Sequence, residues 1–232
     1  MKLPLRLQTV ADMIRRGTSM ADIGSDHALL CIYLAENGLV SRAIASEIAD
    51  KPYQRALAAV NGSQKRDLIT VRQGNGLFTL EPGEVFNVVI AGMGGDTIVA
   101  ILAQDLVKSV SFPRYIFQPM SKWQVLRSFL AAQGWPVEEE KLVKENGHFF
   151  VVMAASPGHT PYHLSRLEAE IGPSILRADT ELKRDFMQKY RNKYLKTYHS
   201  LIMSRQEENV QAAGEYRKMV ERLEEILDAG DS

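Results

Sequence analysis

The sequence predicts an α/β fold: a mostly parallel sheet covered by helices, ending in an antiparallel hairpin and followed by a helical, coiled-coil-like C-terminal domain. Three observations carry this. Short apolar runs such as Val88-Val89-Ile90 alternate with helical periodicities from Met20 to Gln118. Two later runs, Val137 to Lys144 and His148 to Ala154, flank the turn residues Glu145-Asn146-Gly147. Beyond Pro161 the apolar residues fall at helical spacing alone.

In chain order, Leu3, Leu7, Val10 and Ile14 space one face of a leading amphipathic helix, and Gly17 stops it. Met20 to Gly24 reads as a strand, His27 to Glu36 as a helix closed by Asn37 and Gly38, and Arg42 to Glu47 as the second strand. Lys51 to Gln64 is a helix, Leu68 to Gln73 a strand, Phe86 to Ala91 a fully buried strand, and Thr97 to Lys108 a helix. Tyr115 to Gln118 makes a fifth strand, and a helix over Gln124 to Gln133 leads into the hairpin. Strands buried on both faces read as unbroken apolar runs, so the first five belong to a parallel sheet. A parallel sheet finished by a hairpin is the architecture of a Rossmann-like methyltransferase domain, whereas nicotinamide-binding folds continue with parallel crossovers.

Ser156 to Pro161, rich in Pro, Gly and Ser, sets the expected boundary between domains 1–157 and 158–232. In the tail Leu182, Phe186, Tyr190, Tyr194 and Tyr198 space one apolar stripe; Tyr216, Val220, Leu223 and Leu227 space another. Ser204 and Glu207 fit a capping box between them, which predicts an antiparallel helical pair.

With 45% hydrophobic positions, 232 residues can bury one full core and carry an appendage. The single cysteine, Cys31, excludes a disulfide framework within the chain and fits a reducing compartment. No stretch approaches the roughly 20 apolar residues of a membrane span, and no basic segment with an apolar signal core opens the chain, so a soluble cytoplasmic protein is expected. His148, His159, His163 and His199 lack metal-ligand spacing, so no metal is expected. The zero net charge conceals a basic segment, Lys183, Arg184, Lys189, Arg191, Lys193, Lys196 and Arg205, followed by an acidic one from Glu207 to Asp231. Two readings stay open: solvated helices exchanging ion pairs, or a basic face for nucleic-acid phosphates.

The first strand runs into Asp22-Ile-Gly-Ser-Asp-His27. A dinucleotide fingerprint needs three glycines so that backbone can approach a pyrophosphate. Here Gly24 stands alone beside Ser25, His27 and two carboxylates, Asp22 and Asp26, which would repel a diphosphate. They suit a cofactor carrying an ammonium and a sulfonium, which is S-adenosyl-L-methionine; the alternative is a plain polar turn. Glu47 closes the second strand 25 residues after Asp22, where an acidic side chain accepts from ribose hydroxyls. Gly74-Asn75-Gly76-Leu77 and Ala91-Gly92-Met93-Gly94-Gly95 follow the third and fourth strands, at the sheet edge where ligands bind. The second group removes side chains where a flat base would approach a methyl donor.

Together Asp22-Ile-Gly-Ser-Asp-His27, Gly74-Asn-Gly-Leu77, Ile90-Ala-Gly-Met-Gly-Gly95, Phe117-Gln-Pro-Met120 and Leu126-Arg127 resemble the bacterial tRNA adenine N(1)-methyltransferases that modify tRNA position 22. The resemblance spans residues 1 to 155 in order and spacing. It implies a domain that binds S-adenosyl-L-methionine and a helical C-terminal domain that helps hold tRNA, in a monomer or weak homodimer. Asn75 and Met120 depart from the Asp and Asn of many relatives, and the tail reads as longer than theirs.

The cofactor-binding set expected from these readings is Asp22, Gly24, Ser25, Asp26, His27, Glu47, Asn75, Gly76, Ala91 and Gly92. Ring nitrogen 1 of adenine attacks with its own lone pair, so orientation and charge stabilisation matter more than a general base. The catalytic candidates are Asp26, as the carboxylate beside the cationic product or else a ligand of the cofactor's amino group, with Gly92, Met93 and Gly94 shaping the pocket. Arg6, Gln118, Arg127, Lys189, Arg191 and Lys193 are the substrate-binding candidates. For Arg127 and Trp123 the alternative is surface charge and helix packing, and for the tail tyrosines it is packing between helices.

Overall fold

The computed structural model describes residues 2–178, 180–204 and 207–229, and the chain divides into two compact units, Met1–Leu164 and Ser165–Ser232. The first contains α1 (Leu5–Met13), β1 (Ser19–Ile23), α2 (Leu29–Glu36), β2 (Arg42–Glu47), α3 (Asp50–Asn61), β3 (Ile69–Gln73) and β4 (Asn87–Gly94). It continues with α4 (Gly95–Ala103), α5 (Leu106–Ser109), β5 (Arg114–Ser121), α6 (Trp123–Gln133), β6 (Val137–Glu145) and β7 (His148–Ala155). The seven strands form one sheet in the order β3-β2-β1-β4-β5-β7-β6. Strands β1 to β5 pair in parallel, and β7 pairs antiparallel with both β5 and β6.

This order decides where a ligand binds. From β1 the chain proceeds to β2 and β3 on one side, then returns to place β4 on the other side of β1 and continues to β5. The loops leaving β1 and β4 therefore diverge from adjacent strand ends and leave a crevice at the topological switch point. Under it the strands are closed by Met20, Val89, Ile116, Val152 and Ala154, packed with Val10 and Met13 of α1 and with Ile14 just after it. Each of the Val, Ile and Met side chains among them contributes roughly 1.5–3 kcal/mol when fully buried. Asn87 pins the entry to β1: its Oδ1 accepts from Arg15 N (3.1 Å), and its Nδ2 donates to Thr18 Oγ1 (2.8 Å).

Several boundaries differ from the periodicity for local reasons. α2 begins at Leu29 rather than His27 because Asp26 and Ala28 hold positive φ, 46° and 52°, so Ser25 to Ala28 stays a loop. The helix expected over Thr97 to Lys108 breaks at Asp105, whose backbone is non-helical (φ -149°, ψ 88°) and whose side chain caps α5 by accepting from Lys108 N (2.9 Å). The unit boundary falls after Leu164 rather than at 157, since the segment before it packs on the first unit. Tyr162 N–H donates to Ala131 O (3.1 Å) and its hydroxyl to Trp135 O (3.1 Å).

Arg127 is the clearest departure from the sequence reading. The guanidinium assigned to tRNA phosphate lies inside the first unit, with Nε 2.6 Å from Glu140 Oε1 and side chains 1% and 0% exposed. Helix α6 points it inward because Leu126, Arg127, Leu130 and Ala131 share its buried face. Glu140 of β6 supplies the charge that makes burial tolerable.

The second unit opens with α7 (Arg166–Ile171), where Ser165 and Glu168 form a full capping box, and α8 (Pro173–Arg177), begun by its proline. Then α9 (Glu181–Met203) and α10 (Glu207–Ala229) run antiparallel, since contacts pair 184 with 227, 191 with 224 and 194 with 216. Tyr190 and Tyr194 are buried in this pair, and Tyr194 packs against Tyr216 at 5.8 Å, so they serve helix packing. The capping box expected between Ser204 and Glu207 lies outside the described residues. No helix among the described residues is long and apolar enough to cross a membrane.

Removing one member of the buried ion pair strands the other. Arg127→Ala is expected to destabilise the protein by about 3–5 kcal/mol, whereas the paired Arg127→Met/Glu140→Met change costs less than either half alone. Urea denaturation checks this, and an unchanged midpoint for Arg127→Ala contradicts the buried pair.

Candidate active site

The loop from β1 to α2 is built around its backbone. Gly24 turns the chain at φ +78°, the left-handed backbone that favours glycine, and a Cβ there would also displace the flexible end of the Met93 side chain, Cε. Gly24 and Ser25 N–H groups donate to Ser46 O at 2.8 and 3.0 Å, which stitches the loop to the end of β2. Asp26 N–H then donates to Glu47 Oε2 (3.2 Å), while Glu47 Oε1 accepts from Ile48 N (2.8 Å). Asp22 of β1 and Glu47 of the neighbouring β2 line one space beside this loop.

That space is a cavity of about 390 Å³, in the range of small-ligand sites, lined by Arg6, Leu7, Asp22, Gly24, Ser25, Asp26, His27, Leu29, Leu30, Glu47, Ala91, Gly92 and Met93. Asp22 is buried and accepts from Ser25 Oγ (2.8 Å). Burial, seconded by the Glu47 charge and opposed by the Ser25 hydrogen bond, pushes its carboxyl up to about 6. Asp26 behaves oppositely. Arg55 Nε and Nη2 donate to its Oδ1 at 3.1 and 2.5 Å, and His27 Nδ1 lies 2.9 Å from Oδ2. The Arg55 hydrogen bonds hold this carboxyl below the usual carboxylate range.

From β4, the irregular pairing with β5 between Ala91 and Gly94 re-aims the Gly92-Met93 segment toward the crevice. Gly92 sits at φ +77° with open space where a Cβ would be. Gly95 instead serves packing, since a Cβ there would strike Lys122 O and hold the β4–α4 and β5–α6 loops apart.

Most of the expected cofactor residues thus meet in one cavity, joined by Arg6 and Met93. Asn75 and Gly76 do not line it: Asn75 is exposed before a short 3-10 turn, and Gly76 is buried at φ +52° beside Ile101. Gly94 also stands outside the lining and serves as the N-cap of α4. Gln118 is 0% exposed, so it does not reach substrate as expected; its Oε1 accepts from Arg6 Nη1 (3.0 Å). Asp26 lines the cavity with its oxygens already engaged by Arg55 and His27. In the second unit Arg191 is paired with Glu224 (2.7 Å), and Lys193 lies 3.7 Å from Glu170 and over the Tyr190 ring, while Lys189 stays exposed on α9. Sequence reasoning missed Arg55, which reaches Asp26 from α3, and Leu29 and Leu30, which read only as helix core. Nothing in local sequence couples positions 26 and 55.

Comparison with known proteins fits this geometry. A family described as a methyltransferase domain matches residues 3–153. The tRNA (adenine(22)-N(1))-methyltransferase of Bacillus subtilis (strain 168) is 35% identical across 99% of both chains, so the tail is not longer than its relative's. The crystal structure of the B. subtilis m1A22 tRNA methyltransferase TrmK superposes with a TM-score of 0.86 at 32% identity, covering 97% of this chain and 99% of that one. A Streptococcus pneumoniae putative tRNA (m1A22) methyltransferase, Sp1610, in complex with S-adenosyl-L-methionine gives 0.82 at 30% identity, covering 97% and 100%. With the fold, the switch-point cavity and full-length similarity in agreement, the chain belongs to the tRNA (adenine(22)-N(1))-methyltransferase family.

Proposed function

We propose that this protein transfers a methyl group from S-adenosyl-L-methionine to ring nitrogen 1 of adenosine 22 in tRNA, acting in the cytoplasm as a monomer or weak homodimer. The observation that carries the reading is the cavity in which buried Asp22 and hydrogen-bonded Glu47 converge, in a chain similar to such an enzyme over its full length. The residues fit the cofactor. Asp22 offers a carboxylate to an ammonium, Glu47 offers acceptors to ribose hydroxyls, and Gly24 brings backbone close without a side chain. When bound, S-adenosyl-L-methionine supplies a methyl group activated by its sulfonium.

The protein's own contribution is placement. Gly92 leaves room for a planar base at the mouth of the cavity, and Met93 supplies a polarizable wall. The attacking nitrogen uses its own lone pair, so no group need remove a proton before attack and no metal is needed to activate it. Asp26 ties Arg55 and His27 to the cofactor loop and keeps that loop against Glu47. Holding the acceptor in line is the dominant source of rate. Exposing a base edge engaged in tRNA structure requires local unpairing. The exposed lysines of α9, Lys189, Lys193 and Lys196, contact phosphates to steady the tRNA during that opening.

Incubation with radiolabelled S-adenosyl-L-methionine and unmodified tRNA is expected to yield labelled 1-methyladenosine, and tRNA with guanosine at position 22 is expected to stay unlabelled. Label in another nucleoside, or none, refutes the proposed reaction.

Ammonium binding requires ionised Asp22, whose free-state value is about 6. Affinity for S-adenosylhomocysteine is therefore expected to rise with pH through that value, by at most about tenfold per unit below it, and to level off above. Calorimetric titration across pH tests this, and Asp22→Asn is expected to bind weakly with the dependence abolished. A wild-type profile that is flat across the window contradicts the role.

Replacing Lys189, Lys193 and Lys196 together by Ala is expected to weaken tRNA binding and reduce its salt slope by about 0.7–0.9 per lost phosphate contact, leaving cofactor affinity unchanged. Binding titrations at several salt concentrations measure it; an unaltered slope removes α9 from the tRNA interface.

A further inference from the structure

Arg6 stands in the first turn of α1 and lines the same cavity as Asp22 and Glu47. It is the only Arg or Lys among the described residues lining that cavity, facing three carboxylates and His27. Its orientation is set by two partners. Nη1 donates to Gln118 Oε1 at 3.0 Å, and Nε lies 3.6 Å from Glu145 Oε2 at the tip of the hairpin. Gln118 is itself pinned at the end of β5, where its Nε2 donates to Pro119 O (3.3 Å) and lies 3.5 Å from Met120 Sδ. With its amide nitrogen engaged there, its oxygen is left to face Arg6. Nη2 of Arg6 has no protein partner among the described residues, and the side chain is 27% exposed.

The aminoacyl end of the proposed cofactor carries an ammonium and a carboxylate on one carbon. Asp22 suits the ammonium, but a second anion entering beside Asp22, Asp26 and Glu47 is repelled unless a cation meets it. Arg55 is spent on Asp26. Arg6 is left, and a guanidinium presents the planar fork that a carboxylate requires. We propose that Arg6 takes the carboxylate of the cofactor's aminoacyl end rather than a tRNA phosphate, and that buried Gln118 is a positioning residue that aims it. The inference rests on the cofactor reading above and deepens it. It gives Gln118, which substrate cannot reach, a role consistent with its burial. It also makes the cavity selective for a zwitterion, since Asp22 and Arg6 recognise the two charges of one α-amino acid group.

The test compares two ligands that share an adenosyl thioether: S-adenosylhomocysteine, which has the aminoacyl group, and 5′-methylthioadenosine, which lacks it. Isothermal titration of Arg6→Ala is expected to show S-adenosylhomocysteine affinity falling about 10- to 100-fold, the size of one lost hydrogen bond to a charged group. Methylthioadenosine and tRNA affinities are expected to stay unchanged, and the first also reports that the variant is folded. Arg6→Lys is expected to retain part of the affinity, and Gln118→Leu to show the same selective loss to a smaller degree. Equal weakening of both ligands by Gln118→Leu identifies a merely structural residue and overturns its positioning role. Unchanged S-adenosylhomocysteine binding with weakened tRNA binding in Arg6→Ala overturns the carboxylate assignment in favour of a phosphate contact. If the wild-type protein binds neither small ligand, the cofactor reading itself fails, and this inference with it.

Discussion

The strand order makes β1 and β4 neighbours while sending the chain away from them in opposite directions, and the site depends on that constraint. Because both strands end at the same edge, the Gly24 turn and the Gly92-Met93 segment meet across the crevice, with Met93 Cε occupying the place of a Gly24 side chain. The carboxylates follow from the same arrangement. Asp22 sits in β1 and Glu47 at the end of β2, which pairs in parallel with β1, so adjacent strands deliver two acids to one cavity without any long loop.

Charge is handled differently at each depth of the first unit. Arg127 and Glu140 form a fully buried pair whose value lies in not leaving either ion alone. Asp26 and Arg55 pair at the surface, where solvent screens them and the gain is geometric: the pair fixes a loop whose Asp26 and Ala28 hold positive φ. Asp22 is the exception, a buried carboxylate with a single hydroxyl donor and a raised titration point. Its charge is therefore the least compensated of the three, which is the physical basis for assigning it to a cationic ligand in the proposed function.

The helical unit distributes its charge in another way. Much of the basic stretch of α9 is engaged with acidic residues or carbonyls of its own unit: Arg191 with Glu224, Arg184 with Leu227 O and Lys193 near Glu170. The opposite net charges of the two long helices are thus partly used to hold the antiparallel pair together. A count of basic residues along the sequence overstates what remains for a polyanion.

The elements, their order and the make-up of the loop after β1 are legible in the residue pattern alone. Apolar runs must be buried on both faces, a single-glycine turn with two acids disfavours a diphosphate, and Glu145-Asn146-Gly147 turns a hairpin, as observed between β6 and β7. These are local properties, set by side-chain period and backbone freedom. Which polar and charged groups remain available depends on the packing of distant elements. Arg127 and Gln118 look like surface groups until the partners at Glu140 and Arg6, far away in the chain, are known, and Asp26 looks like a free acid until Arg55 reaches it. A charge's role depends on its neighbours and its exposure to water, and both are set by packing between elements that local pattern cannot register.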